Sequence, residues 1–153
     1  MASEKIRLDV PRLAELMQPV QSPPIWIAGL PWFLHVVSEC SETTKNVKQL
    51  AVYMHCNCGS KDPNWSCDCS VIFTLLAQKD GHKSCHKTFS HTYKFEHHSV
   101  GLSSFMNWDD VLKGFIRDDG GIVIEASITV HDVIGVKEPM ASDTISLDVP
   151  KLA

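Results

Sequence analysis

Three long runs of the sequence alternate apolar and polar residues with a period of two, which is the period of a strand with one face buried and one face wet. From Gln49 to Cys58, residues Leu50, Val52, Met54, Cys56 and Cys58 share one side, and Ala51, Tyr53, His55 and Asn57 share the other. From Trp65 to Leu75, the residues Trp65, Cys67, Cys69, Val71, Phe73 and Leu75 share a face opposite Ser66, Asp68, Ser70, Ile72 and Thr74. Between these runs, Gly59-Ser60-Lys61-Asp62-Pro63-Asn64 is turn chemistry, so the two strands are expected to form a hairpin. Gly121 to Val136 sets Ile122, Ile124, Ala126, Ile128 and Val130 against Val123, Glu125, Ser127 and Thr129, a third half-buried strand. Trp32 to Val37 and Lys87 to Phe95 are shorter candidates, and Ile6 to Leu13 is a further one that Pro11 confines to an edge or a bulge.

Helix signals are few. Asn107-Trp108-Asp109-Asp110-Val111-Leu112-Lys113 carries an Asn N-cap, acids in the first turn, a late Lys and Gly114 as a stop, enough for one or two turns. A second short turn is expected within Val10 to Met17. Many strands, turn residues between them and almost no helix predict an all-β, antiparallel β-sandwich of seven to eight strands with one short helix.

A chain of 153 residues, 44% hydrophobic, suits one ordinary domain that can bury a core without disulfides or a metal. Fourteen Lys and Arg against 18 Asp and Glu, with no basic block, leave no electrostatic footprint for nucleic acid. No apolar run reaches the roughly 20 residues that span a bilayer, and no signal-peptide core follows the charged start, so neither a membrane nor export is expected. The expected location is the cytoplasm or the nucleus. One repeat divides the chain: Ile6-Arg7-Leu8-Asp9-Val10-Pro11-Arg12-Leu13-Ala14 returns as Ile145-Ser146-Leu147-Asp148-Val149-Pro150-Lys151-Leu152-Ala153, seven of nine positions identical at a spacing of 139. That spacing is the size of a domain, so residues 6–140 are expected to form one unit. Residues 141–153 then supply the linker and first strand of a following copy, and Thr144 to Ala153 are expected to be disordered or to pair with an exposed edge, such as the Ile6 to Ala14 strand position of a neighbour.

Two clusters raise the question of chemistry. Cys56-x-Cys58 and Cys67-x-Cys69 contain four thiols, as many as a tetrahedral zinc site requires. In a flat strand, however, residues i and i+2 hold their sulfurs parallel and about 6–7 Å apart, whereas zinc knuckles use C-x2-C turns in which the sulfurs converge. Since both strand faces are apolar, core filling is the expected role, ahead of zinc or disulfides. Cys85 lies in a His-rich stretch with His82, His86, His91, His97 and His98, but no third orienting group or Gly-rich oxyanion turn accompanies it. No catalytic residue, metal ligand or cofactor is expected.

Several anchors recur in a recognisable order: Ser22-Pro23-Pro24, Leu30-Pro31-Trp32, Trp65-Ser66-Cys67, Ser90-His91, Ser104-Phe105-Met106-Asn107-Trp108, Gly114-Phe115-Ile116 and Asp118-Asp119 before a β-branched strand. Together they resemble the MATH (meprin and TRAF homology) domain, in the version at the N-terminus of the herpesvirus-associated ubiquitin-specific protease. The resemblance runs from about Ile6 to Val136. It implies a docking module for short linear peptides that carries no catalysis of its own, used in adaptors that often feed ubiquitin ligases or deubiquitinases.

Independently of that resemblance, Trp32, Trp65, Phe105 and Trp108 read as core, and Gly101 and Gly114 as positions of close backbone approach or positive φ. The peptide groove of the family carries an Asp-Trp-Gly-Phe segment, which aligns here with Ser99-Val100-Gly101-Leu102. The glycine survives, while the acid and the large aromatic do not, so the usual Ser-containing ligand motifs are not carried over. Tyr53 aligns with an aromatic groove position, and Thr92, Lys94, Glu96 and His98 alternate on the strand leading into the segment. The expected peptide site is therefore Tyr53, Thr92, Lys94, His98, Ser99, Val100, Gly101 and Leu102. It would hold a peptide by strand addition with micromolar affinity, about -8 kcal/mol, so tandem copies or homo-association would raise avidity. The alternative is a scaffold that self-associates and whose groove is vestigial.

Overall fold

The computed structural model describes residues 2–16, 18–40, 47–56, 65–78, 83–94 and 98–135. Seven long strands carry the architecture: β1 (Ala2–Val10), β4 (Leu30–Glu39), β5 (Gln49–Cys56), β6 (Ser66–Leu75), β7 (Cys85–Lys94), β8 (Ser99–Asn107) and β9 (Ile122–Ile134). Two short pieces, β2 (Val20–Gln21) and β3 (Ile25–Ile27), flank Pro23-Pro24 and are too brief for alternation to reveal. One helix, α1 (Trp108–Gly114), and a single 3-10 turn at Leu13–Glu15 complete the described elements. One sheet has the order β1-β9-β6-β7, the other β2-β4-β5-β8 with β3 beside β4, and every pairing is antiparallel. This is the all-β sandwich that the alternation predicts.

The expected hairpin between the strands at Gln49 and Trp65 does not form. β5 pairs with β4 and β8, and β6 pairs with β7 and β9, so the two strands lie in opposite sheets. Leu50, Val52, Met54 and Cys56 lie in one buried core with Cys67, Cys69, Val71 and Phe73, so the apolar face of each strand is covered by the sheet that holds the other. Turn residues between two alternating runs permit a hairpin, but they equally permit a crossing. Cys58 and the turn at 59–64 lie outside the described residues.

Side chains join the two layers. Trp32 meets the edge of Tyr93 at 5.1 Å, and the Tyr93 hydroxyl donates to the Met54 carbonyl at 3.0 Å, so a β7 residue is tied to the opposite sheet. Burial of that phenol beside Cys69, Cys56 and Cys67 pushes its pKa far up. The anchors Trp32, Trp65, Phe105 and Trp108 are all buried, in agreement with their reading as core. Cys56, Cys67 and Cys69 are buried as well, and burial ahead of neighbouring charge pushes the Cys67 and Cys69 thiols up to about 12. Thiols so disfavoured as thiolates are core filling. Among the described residues no cluster of His, Cys, Asp and Glu is arranged to hold a metal.

Local signals explain the ends. β1 stops before Pro11 and, among the described residues, pairs only with β9, which leaves it at the sheet edge. The Asn107 side chain accepts from the Asp109 backbone N–H at 3.0 Å, the cap that the sequence predicts for α1. Gly101 has no room for a side chain: a Cβ there would lie 2.1 Å from the Val52 carbonyl oxygen and 2.6 Å from Tyr53 Cα. Gly114, by contrast, is a buried residue of α1 and does not have positive φ.

Candidate functional site

The outer face of the β2-β4-β5-β8 sheet presents the residues that alternate out of the core. Phe33 and His35 project from β4 between the buried Leu34 and Val36, and Tyr53 and His55 project from β5 between the buried Val52, Met54 and Cys56. The register sets His35 opposite Tyr53 and Phe33 opposite His55. Their rings form a continuous strip: Phe33 stacks on His55 at 4.7 Å, His55 on His35 at 5.1 Å, and His35 meets Tyr53 edge-on at 6.2 Å. Exposed Trp26 on β3 extends the apolar face toward one end.

Polar atoms border the strip. The Tyr53 hydroxyl donates to the Glu39 carboxylate, Gln21 Nε2 lies 3.3 Å from His35 Nδ1, and Ser99 Oγ lies 3.3 Å from His55 Nε2. Burial first, then the hydrogen bond to Glu39, pushes the Tyr53 phenol well above its ordinary range. Burial also lowers His55 to about 4, with His35 and His98 adding to the effect, and it lowers His35 against the opposing pull of Glu39. Both imidazoles are therefore neutral at physiological pH, and the strip works as an aromatic surface with hydrogen-bonding rims.

β8 closes this sheet, and among the described residues no strand pairs with its second edge. Gly101 stands opposite Tyr53, so the floor beside the phenol is bare backbone. Such an edge, with unpaired backbone groups next to an aromatic shelf, can take an added strand and read its side chains.

The structure gathers part of the expected site and disperses the rest. Tyr53, Ser99 and Gly101 share the outer face, and exposed His98 leads into it, its carbonyl accepting from the Cys56 N–H at 2.9 Å. Val100 and Leu102 pair with the buried Met54 and Val52, so they project to the inner side and pack half-buried against the core. Their contribution is to the rim of the sandwich beneath the β8 edge, because neighbours of an outward residue in a strand point inward. Thr92 and Lys94 are exposed on β7, in the other sheet, where Thr92 donates to Asp68. They face away from Tyr53, since β7 and β8 are successive in sequence but belong to different layers. Glu96 lies outside the described residues.

Thr92 instead borders a shallow polar concavity of about 480 Å³ on the second sheet, lined by Asp68, Ser70, Ser90 and His131 among others. There Ser70 Oγ lies 2.8 Å from His131 Nε2. Cys85 is half-buried on β7 opposite Leu75, and His86 bonds Thr74 at 2.9 Å. His82 and His97 lie outside the described residues. Phe33, His35, Glu39 and His55 were absent from the expected site, although the alternation of Leu34 and Val36 with Phe33 and His35 already places two rings on one outer face.

A two-layer antiparallel sandwich with an aromatic outer face lies beside β8, whose second edge has no partner strand among the described residues, a surface suited to a protein-interaction module. The family model of the MATH domain matches residues 9–130, and the chain belongs to that family. BTB and MATH domain-containing protein 38 of Caenorhabditis elegans is 30% identical over 133 residues, which cover 86% of this chain and 34% of the relative. BTB and MATH domain-containing protein 36 of the same organism is 26% identical over 151 residues, 95% of this chain and 46% of its own length. Ubiquitin carboxyl-terminal hydrolase 7 of Drosophila melanogaster is 24% identical over 131 residues, 83% of this chain and 11% of its own. The chain thus spans less than half the length of each of these three relatives. Among the described residues no helix is long and apolar enough to cross a membrane.

Proposed function

We propose that this MATH domain docks an extended segment of a partner protein along β8, with alternate side chains of the segment resting on the Tyr53, His35, His55 and Phe33 strip. The observation that carries the reading is the juxtaposition of bare Gly101 with Tyr53 at an edge strand that has no second neighbour among the described residues. The Asp-Trp positions of the family are Ser99 and Val100 here, so the ligand is selected by aromatic and imidazole contacts rather than by a carboxylate. Phe, Tyr, Leu or Met at the docking positions suits that surface. The relatives' names, which join MATH to BTB or to ubiquitin hydrolysis, support an adaptor role in the ubiquitin system. The repeat of residues 6–14 at 145–153 supports an organisation in which 6–140 is one MATH unit and 141–153 supply a linker and the first strand of another.

A peptide array probed with the full chain tests the docking. Peptides selected by the wild type should lose at least tenfold in affinity with Tyr53→Ala and with His55→Ala, and retain it with Thr92→Ala or Lys94→Ala on the opposite sheet. Loss confined to the β7 variants would move the site to the other face. Absence of any selected peptide, together with concentration-dependent association in sedimentation, would establish the self-associating scaffold instead.

A further inference from the structure

The repeat is longer than nine residues. Met1 to Ala14 aligns with Met140 to Ala153 with ten of 14 positions identical. The structure shows what that identity protects. Ile6, Leu8, Val10 and Leu13 are the buried side chains of β1 and the turn after it, and all four recur, as Ile145, Leu147, Val149 and Leu152. The four substitutions, Glu4 to Asp143, Lys5 to Thr144, Arg7 to Ser146 and Arg12 to Lys151, all replace exposed residues of the first copy. The second copy therefore carries every apolar group that the β1 position on β9 requires.

That much would serve a following domain equally well. The register adds a second constraint. β1 runs antiparallel to β9 with Ala2 opposite Val130 and Val10 opposite Ile122. Moved by 139 residues, the same ladder sets Ala141 opposite Val130 and Val149 opposite Ile122. Beyond Val130, where β9 spends an extra residue, His131, against β6, the same ladder followed outward leaves a hairpin loop of two or three residues that begins at Gly135. Short hairpin loops favour glycine because they call for positive φ. Gly135 has φ +81.

We infer that residues 141–149 are an alternative first strand: they can fold back on the β9 of their own chain and occupy the β1 position in the same register, releasing residues 2–10. This goes beyond the docking reading and does not depend on it, since the β1 edge and the β8 edge belong to different sheets. Two features set the balance. The hairpin closes a loop of two or three residues, whereas β1 arrives from the far end of the chain, so loop closure favours the second copy. Opposing this, Glu125 pairs with Lys5 at 3.6 Å and with Arg7 at 3.5 Å, and the second copy has Thr144 and Ser146 in those places. In an array, each such strand would choose between the domain before it and the domain after it, and a released first strand would be available to another copy.

The test uses the full chain. Leu8→Asp places a carboxylate in the buried face of β1 and should leave a cooperatively unfolding monomer, because the second copy takes the position. Leu147→Asp alone should leave the midpoint unchanged, while the double variant should lose the cooperative transition. Equal stability of Leu8→Asp and the double variant, whether both folded or both unfolded, would overturn the inference. A covalent readout is independent of how stable each variant is. Lys5 faces Ser127 in the present register, so Thr144 would face it in the alternative one. With Cys40→Ser, Leu8→Asp, Ser127→Cys and Thr144→Cys combined, mild oxidation should yield a monomer whose 127–144 disulfide is found by peptide mapping. No such bond, or its appearance only in dimers, would overturn the exchange within one chain.

Discussion

At the scale of single residues, the outer face of the Tyr53 sheet is governed by desolvation. His55 is half-buried between Phe33 and His35, and its pKa falls from an unfolded value near 6.5 to about 4, chiefly through burial, with His35 and His98 opposing its protonation as well. Between those two values the unfolded chain binds the proton that the folded one refuses. The stabilisation is therefore fully present above about pH 6.5 and is lost as the pH falls toward 4. His35 shifts in the same direction. A series of melting temperatures from pH 7.5 to 4 should show a steeper decline for the wild type than for His55→Gln, and parallel curves would refute the role of this imidazole. The sequence shows that Tyr53 and His55 share a polar strand face. It does not show that the ring beneath His55 is Phe33, since that contact depends on which strands are neighbours.

At the scale of elements, β8 shows how one position serves both fold and site. Gly101 brings the strand so close to β5 that a methyl group would overlap the Val52 carbonyl oxygen and the Tyr53 backbone, neither of which is the flexible end of a side chain. Gly101→Ala should cost about 3 kcal/mol or more in denaturant unfolding and should weaken peptide capture through displacement of β8; a loss below about 0.5 kcal/mol would show that the strand yields without strain. Most strands were legible because alternation is a local property: β4, β5, β6, β7 and β9 fall where it predicts, while β1 runs from Ala2 to Val10 rather than from Ile6 to Leu13. The cap at Asn107 was equally local. The placement of β5 and β6 in opposite sheets was not legible: the apolar faces of Met54 and Cys67 state that each strand needs a cover, but not whether the two strands cover one another. For the same reason the alternation that makes Thr92 and Lys94 groove candidates does not reveal that β7 closes the sheet opposite to that of Tyr53.

At the scale of the whole molecule, the cysteines record how the two layers meet. Cys56 comes from one sheet and Cys67 and Cys69 from the other, and all three sit in the core around Tyr93. Under native conditions at pH 8 an aromatic disulfide reagent should modify exposed Cys40 rapidly and leave these three unmodified until denaturant opens the sandwich. Rapid modification of any of the three in the folded protein would contradict that packing. The sequence by itself determined the all-β class, the positions of most long strands, the cap and the glycine that must lie close to another backbone, because period, turn chemistry and steric size act over a few residues. It also determined the repeat. The tertiary structure alone decided which strands are neighbours, and with that which outward side chains form one surface, which thiols are enclosed and where a second copy of the first strand can fit. Those outcomes depend on covering every apolar face at once, a condition on the whole chain that no local stretch of it contains.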